Sequence, residues 1–190
     1  MFKLVGMKDT IRIPPSEFGK PLKEVAVELL KSKYEGLLIP EVGLIVSILN
    51  VKVSEIGRIY PRDPSLHHEV EFDALVYIPL LHELVEGEVM IVEDIGVFVR
   101  IGPIDGFIHK SQIQDDYFTY DKKQATVVGL KSKRVLRKGD IVRARIVSIS
   151  MSSQRSRGLR VALTMRQPFL GKIEWIREEL RKLKKGTTGK

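Results

Sequence analysis

The chain has 190 residues, room for one large or two small domains with real cores, and its 43% apolar and 29% charged content is ordinary for a soluble protein. With no cysteine it can form neither a disulfide nor a thiolate metal site. No apolar run approaches the ~18 residues of a membrane span, and "MFKLVGMKDT" has neither the apolar stretch nor the small-residue cleavage site of a signal peptide, so a cytoplasmic protein is expected.

The formal net charge of +8 is unevenly placed. Residues 1–80 hold 10 basic against 11 acidic side chains, and residues 81–190 hold 22 against 13. Within 122–166 there are 13 basic residues and one acid, Asp140. Such a run is either a solvated face or the footprint of a polyanion; threaded through strands, it favours the polyanion.

In chain order, residues 2–13 read as a strand closed by Pro14-Pro15. In "PLKEVAVELLKSKYEG", Leu22, Val25, Ala26, Leu29 and Leu30 recur at helical spacing between Pro21 and Gly36, which predicts an amphipathic helix. "GLIVSILNVKVSEIGRI" is rich in β-branched residues and reads as a long strand. "HHEVEFDALVYIP" alternates, with Val70, Phe72, Ala74, Val76 and Ile78 on one face and Glu69, Glu71 and Asp73 on the other. "YPRDPS" between them must turn or protrude. Residues 1–82 are thus expected to form an α+β domain, and 83–190 an all-β domain with a C-terminal helix.

The second half offers five short strands, "EGEVMIVED", "GVFVRIG", "GFIHK", "GDIVRARIVSIS" and "LRVALTM", with Gly or Asp at the joints. Five such strands suggest a small closed barrel of the OB type. The basic segment 114–138 interrupts them and is longer than an ordinary loop, which predicts a functional insertion or local helix. Ile173, Ile176, Leu180 and Leu183 fit a C-terminal helix, and "GTTGK" a frayed tail.

"GVFVRIGPIDGFIHKSQI" leaves open whether Phe98 and Phe107 are core or face a ligand. "EGEVMIVEDIGVFVRIGPIDGFIHKSQI", "KGDIVRARIVSIS" and "LRVALTMRQP" together resemble the RNA-binding OB barrel named for ribosomal protein S-one, over about residues 83–166. The resemblance implies that Phe98 and His109 face nucleic acid. Exposed aromatics that stack bases, with cations along the phosphates, are how single strands are held. Phe107, Arg100, Lys110, Arg143, Arg145 and Arg160 join them as candidates. Alternation puts Arg143 and Arg145 on one face, opposite Val142, Ala144 and Ile146. Two positions depart from the family pattern: Ile95 replaces a second aromatic and Ser150 an Asp, which implies modest, sequence-tolerant affinity.

The whole chain is similar to the larger stalk subunits of archaeal RNA polymerase, counterparts of the seventh subunit of the eukaryotic enzyme. "DTIRIPPSEFGKPL", "KYEGLLIPEVGLIVSILNVKVSEIGRI" and "HHEVEFDALVYIP", placed ahead of the barrel, carry that resemblance. It implies a truncated ribonucleoprotein-like N-terminal domain docked on the polymerase core, a heterodimer with a smaller stalk subunit, and a barrel facing emerging single-stranded RNA. The core contact would be the tip Ile56, Gly57, Arg58, Ile59 and Tyr60. A free-standing single-stranded RNA-binding protein of translation or RNA decay is the alternative.

Nothing predicts a catalytic site, cofactor or metal. There is no Gly-rich phosphate loop, and His67, His68, His82 and His109 lack helical ligand spacing. Asp115-Asp116 reads as a solvated pair without a second ligand set.

Overall fold

The computed structural model describes residues 1–151 and 158–187, with side chains up to residue 184. The chain divides into two units after Ile78, each with its own core.

The first unit is an antiparallel sheet with one helix. Strands β1 (Phe2–Ile13), β2 (Leu38–Ile39), β3 (Gly43–Val53), β4 (Arg58–Tyr60) and β5 (Asp63–Tyr77) are joined in the order β1-β5-β3-β2, with β4 also on β5. Helix α1 (Leu22–Tyr34) lies on one face, where Val25, Ala26 and Leu30 meet Val70, Phe72, Ala74 and Val76, all buried. The opposite face carries the charged residues of the alternation, as expected of an antiparallel sheet with one side in water. The helix breaks where Glu35 becomes extended and Gly36 turns to a φ of 79°.

"YPRDPS" is less of a loop than its two prolines suggest. Only Pro61 and Arg62 turn, and Asp63 already belongs to β5. Pro64 is tolerated because the ladder with β1 begins only at Leu66, so its missing N–H breaks no bond there.

The second unit is a barrel with an inserted sheet and a terminal helix. Strands β6 (Leu84–Glu93), β7 (Gly96–Arg100), β8 (Asp105–His109), β12 (Ile141–Met151) and β13 (Leu159–Thr164) run β13-β8-β7-β6-β12, and β12 also pairs with β13. That last pairing closes a five-stranded barrel. β12 makes the closure by bonding β6 through Ile141–Arg145 and β13 through Arg145–Met151, and a bulge between Ile146 and Ser148 bends it from one to the other. Val89, Val97, Val99, Ile108, Val142, Ala144, Ile146, Val161 and Leu163 fill the interior.

The segment 114–138 folds as β9 (Phe118–Asp121), β10 (Thr126–Gly129) and β11 (Val135–Arg137), an antiparallel meander. The local helix expected there is not present. Thr119, Thr126, Val127, Val128 and Val135 are β-branched and favour extended backbone, and Phe118, Val127 and Leu136 are buried. β14 (Gly171–Lys172) adds to the edge of β12 and leads into α2 (Ile173–Thr187). Trp175 and Ile176 are buried, whereas Leu180 and Leu183 are 41% and 57% exposed. The Arg134 guanidinium lies 5.2 Å from the Trp175 ring centre and 3.0 Å from Glu179, fastening the inserted sheet to α2. The helix runs through Thr187, into the expected tail; residues 188–190 lie outside the described residues.

Candidate nucleic-acid interface

Strand alternation on a closed barrel sends one set of side chains inward and the other out. On β7, Val97 and Val99 enter the core, so Phe98 and Arg100 point out; on β8, Ile108 enters, so Asp105, Phe107 and His109 point out. The register places Phe98 opposite Phe107, Arg100 opposite Asp105 and Gly96 opposite His109. Phe98 and Phe107 are half-buried with ring centres 5.1 Å apart, and the His109 ring follows 6.5 Å from Phe107. Neither phenyl ring is core: both form a continuous aromatic row on the outside of the barrel.

Gly96 permits the row. A Cβ there would lie 2.2 Å from the Ile108 carbonyl oxygen and 2.9 Å from Cζ of Phe107. With only hydrogen at that position, the Phe107 ring lies down along the strand beside its neighbour. His109 is exposed and caps the short 3₁₀ turn Lys110–Gln112; its Nδ1 accepts from the Ser111 N–H at 3.2 Å. With Nδ1 engaged as acceptor, the neutral ring carries its proton on Nε2 and offers a donor at the end of the row.

The cations divide into two groups. Arg100 shares the outer face with Phe98 but is held by Asp105, whose hydrogen bond and charge raise the guanidinium's pKa. Lys110 stands 3.4 Å from Asp94. Arg160, on β13, is exposed and shares its face with Ala162, the residue paired with Phe107. Arg143 and Arg145 do share one face of β12, but that strand is separated from β7 by β6 and from β8 by β13. Arg143 pairs with Glu86 at 2.7 Å, and Arg145 lies between Leu84 and Thr164 with its Nε shielded and without a partner among the described residues. The eight candidates therefore form one group around the aromatic row and a second on another sector of the barrel.

Ile95 sits in the β6–β7 turn and is 54% exposed. Ile91, opposite Phe98 on β6, is 52% exposed and extends the apolar strip. Sequence reading did not single it out, because the bulge between Val89 and Ile91 shifts the alternation of β6 by one residue.

In the first unit, the tip between β3 and β5 exposes Ile56 and Ile59 by 80% and 69%. Its base is rigid. The buried His68 ring sits against Gly57, where a Cβ would lie 2.6 Å from Nε2, and its Nδ1–H donates to the Ser54 carbonyl at 2.8 Å. Tyr60 stands edge-on to His67 at 4.9 Å, His67 contacts Asp63 at 2.9 Å, and Asp63 accepts from Arg12 at 2.9 Å. The hydrogen bonds from His67, the Ser65 amide and Arg12 hold the Asp63 carboxyl well below its ordinary range. Arg58 reaches Glu69 at 3.7 Å.

Of the two adjacent acids, Asp115 is exposed and pairs with Arg166 at 2.7 Å, whereas Asp116 is partly buried and bound by its neighbours. Its carboxylate gathers the backbone amides of Tyr117, Lys131 and Ser132 and the Ser132 hydroxyl. Among the described residues no group of three or more His, Asp or Glu is placed to hold a metal, and no helix is long and apolar enough to cross a membrane.

The chain is 50% identical over 185 residues to DNA-directed RNA polymerase subunit Rpo7 of Sulfolobus acidocaldarius, a match that covers 97% of this chain and 100% of that one. The chain belongs to the Rpo7 family of RNA polymerase subunits. Identity is also 50% over 176 residues with the Rpo7 subunit of Saccharolobus shibatae, covering 93% of this chain and 97% of the relative. It is 26% over 172 residues with RNA polymerase II subunit rpb7 of Schizosaccharomyces pombe, covering 90% and 98%. Residues 8–64 match the SHS2 domain found in the N terminus of Rpb7p/Rpc25p/MJ0397, and residues 79–158 match the S1 RNA binding domain. A member of this family is a stalk subunit of RNA polymerase, a nucleotidyltransferase complex, and the barrel carrying the aromatic row is its S1 domain.

Proposed function

We propose that this chain is the RNA-holding arm of the polymerase stalk and itself carries no catalytic site, cofactor or metal. Single-stranded RNA leaving the cytoplasmic enzyme crosses the outer face of β7, β8 and β13. Its bases stack on Phe98 and Phe107, its phosphates meet Arg160 and Lys110, and His109 donates from Nε2. Arg100 adds charge when RNA competes with Asp105, while Arg143 and Arg145 line a secondary path. Ile56, Gly57, Arg58, Ile59 and Tyr60 dock the first unit on the polymerase core. A smaller stalk subunit pairs with the chain over apolar surface, including Phe2 and Leu4 of the first unit and Leu80, Leu81 and Leu84 of the second, all at least 41% exposed.

The observation that carries this reading is the pair of partly buried phenyl rings, 5.1 Å apart, on the outer face of a barrel whose core is filled by other side chains. Rings so placed keep a face open to water, and stacking on such a face contributes about 1–3 kcal/mol per base.

Titrating a single-stranded oligouridylate against the heterodimer at several salt concentrations tests the reading. Phe98→Ala is expected to lower affinity with an unchanged salt slope. Arg160→Ala is expected to lower affinity and flatten the log–log slope by roughly 0.7. Wild-type binding by both variants overturns it.

A further inference from the structure

The S1 barrel does not end at His109. A cleft of about 480 Å³ opens beside that ring, walled on one side by the 3₁₀ turn and on the other by the inserted sheet. Lys110, Tyr117, Lys131 and Arg166 line it. That size and mixed aromatic and polar lining suit a small ligand or one unit of a polymer.

The lip of the cleft is more ordered than a surface loop needs. Ile113 and Phe118 are 1% and 7% exposed and anchor the segment in the core, while Tyr117 is 74% exposed and gives the core nothing. Yet the backbone around Tyr117 is tied down. The Asp116 carboxylate accepts from the Ser132 amide at 2.8 Å and the Ser132 hydroxyl at 2.7 Å, and the Leu130 amide donates to the Tyr117 carbonyl at 2.8 Å. These bonds join the start of the insertion to the β10–β11 turn and hold Lys131 with its ammonium 5.9 Å from the centre of the Tyr117 ring. Two cations of the cleft are already paired, Arg166 with Asp115 at 2.7 Å and Lys110 with Asp94 at 3.4 Å, so the available positive charge is that of Lys131. Asp116 is occupied by its amide donors, Asp115 by Arg166, and no carboxylate among the described residues lies within ion-pair reach of Lys131.

We infer that this cleft is a second nucleotide subsite, in which a base of single-stranded RNA stacks on Tyr117 and its phosphate meets Lys131. The assignment rests on the RNA-binding reading of the barrel and extends it: the row Phe98–Phe107–His109 continues past the 3₁₀ turn onto the insertion. Nucleic acid fits better than an acidic peptide because an exposed ring paired with an ammonium, in a cleft that His109 also lines, matches the base-and-phosphate repeat of a single strand.

The test is fluorescence anisotropy of a labelled oligouridylate of ~16 nucleotides, at the upper end of single-barrel site sizes, on the full chain in its heterodimer. Tyr117→Ala is expected to weaken binding roughly 5- to 160-fold, as loss of one stacked base does elsewhere, and Tyr117→Phe to retain it. Lys131→Ala is expected to flatten the salt slope by roughly 0.7. Wild-type affinity of Tyr117→Ala, with Phe98→Ala still weakened, overturns the subsite and leaves the barrel reading standing. Wild-type affinity of both overturns the barrel reading and the subsite with it. Weak binding by Tyr117→Phe points to the phenol oxygen and overturns stacking. Equal competition by polyglutamate and unlabelled oligouridylate overturns the assignment to nucleic acid.

Discussion

Asp116 shows how much a single side chain does in the inserted sheet. Hydrogen bonds from the Ser132 amide and hydroxyl and from the Lys131 and Tyr117 amides lower its carboxyl from the ordinary 3.8 to about 2. A carboxyl depressed in the folded state stabilises that state fully above its ordinary value, and the contribution is lost as pH falls through about 2. An NMR titration is therefore expected to place the Asp116 midpoint near 2, with the Lys131 and Ser132 amide shifts moving along with it. A midpoint near 3.8 would mean that these bonds do not persist in solution. None of this was legible in "QDDYF", because the partners that set Asp115 and Asp116 apart lie 15 to 51 residues downstream. The residues alone left the direction of Phe98 open; the family resemblance implied an outward face for Phe98 and His109, and the inward turn of Val97, Val99 and Ile108 agrees with it. Tyr117 stands in a loop, where no period applies.

At the scale of elements, the tip before β4 combines a stiff base with exposed apolar ends. Ile56 and Ile59 make no core contacts that their loss would break, so Ile56→Ser with Ile59→Ser is expected to leave the melting temperature unchanged. Attachment to the polymerase core is expected to weaken at least tenfold, as when central apolar contacts are lost from an interface, with the stalk heterodimer intact. Co-purification on tagged core polymerase at graded protein concentration reads this; undiminished retention counts against the tip. Strands and helices were legible because their hydrophobic periods are local. The neighbours of β12 were not, since its pairings with β6 and β13 join distant stretches of chain. That is why Arg143 and Arg145 read as one surface with Phe98 and proved to be a strand away. The local helix expected in the insertion is absent for a related reason: its strands show only once Val127 and Leu136 find a common core.

At the scale of the whole molecule, two units with separate cores each leave apolar side chains in water: Phe2 and Leu4 in the first, Leu80, Leu81 and Leu180 in the second. A partner that binds only the folded chain stabilises it by mass action, about 2.7 kcal/mol at a hundred times its dissociation constant. For a chain of this size that corresponds to a rise of roughly 5–10 °C. Calorimetry of the chain alone and with the smaller stalk subunit is expected to show that rise, and equal melting temperatures would exclude an extensive shared interface.

The outward placement of Phe98 and Phe107 has a further consequence, for how such a protein changes over generations. The side chains that seal the barrel and those that would grip RNA are different residues, alternating along the same strands. Substitutions in the outer set leave the interior packing of Val97, Val99 and Ile108 untouched. On the proposed reading, lineages can therefore change the outer surface stepwise and reversibly while the barrel beneath stays the same.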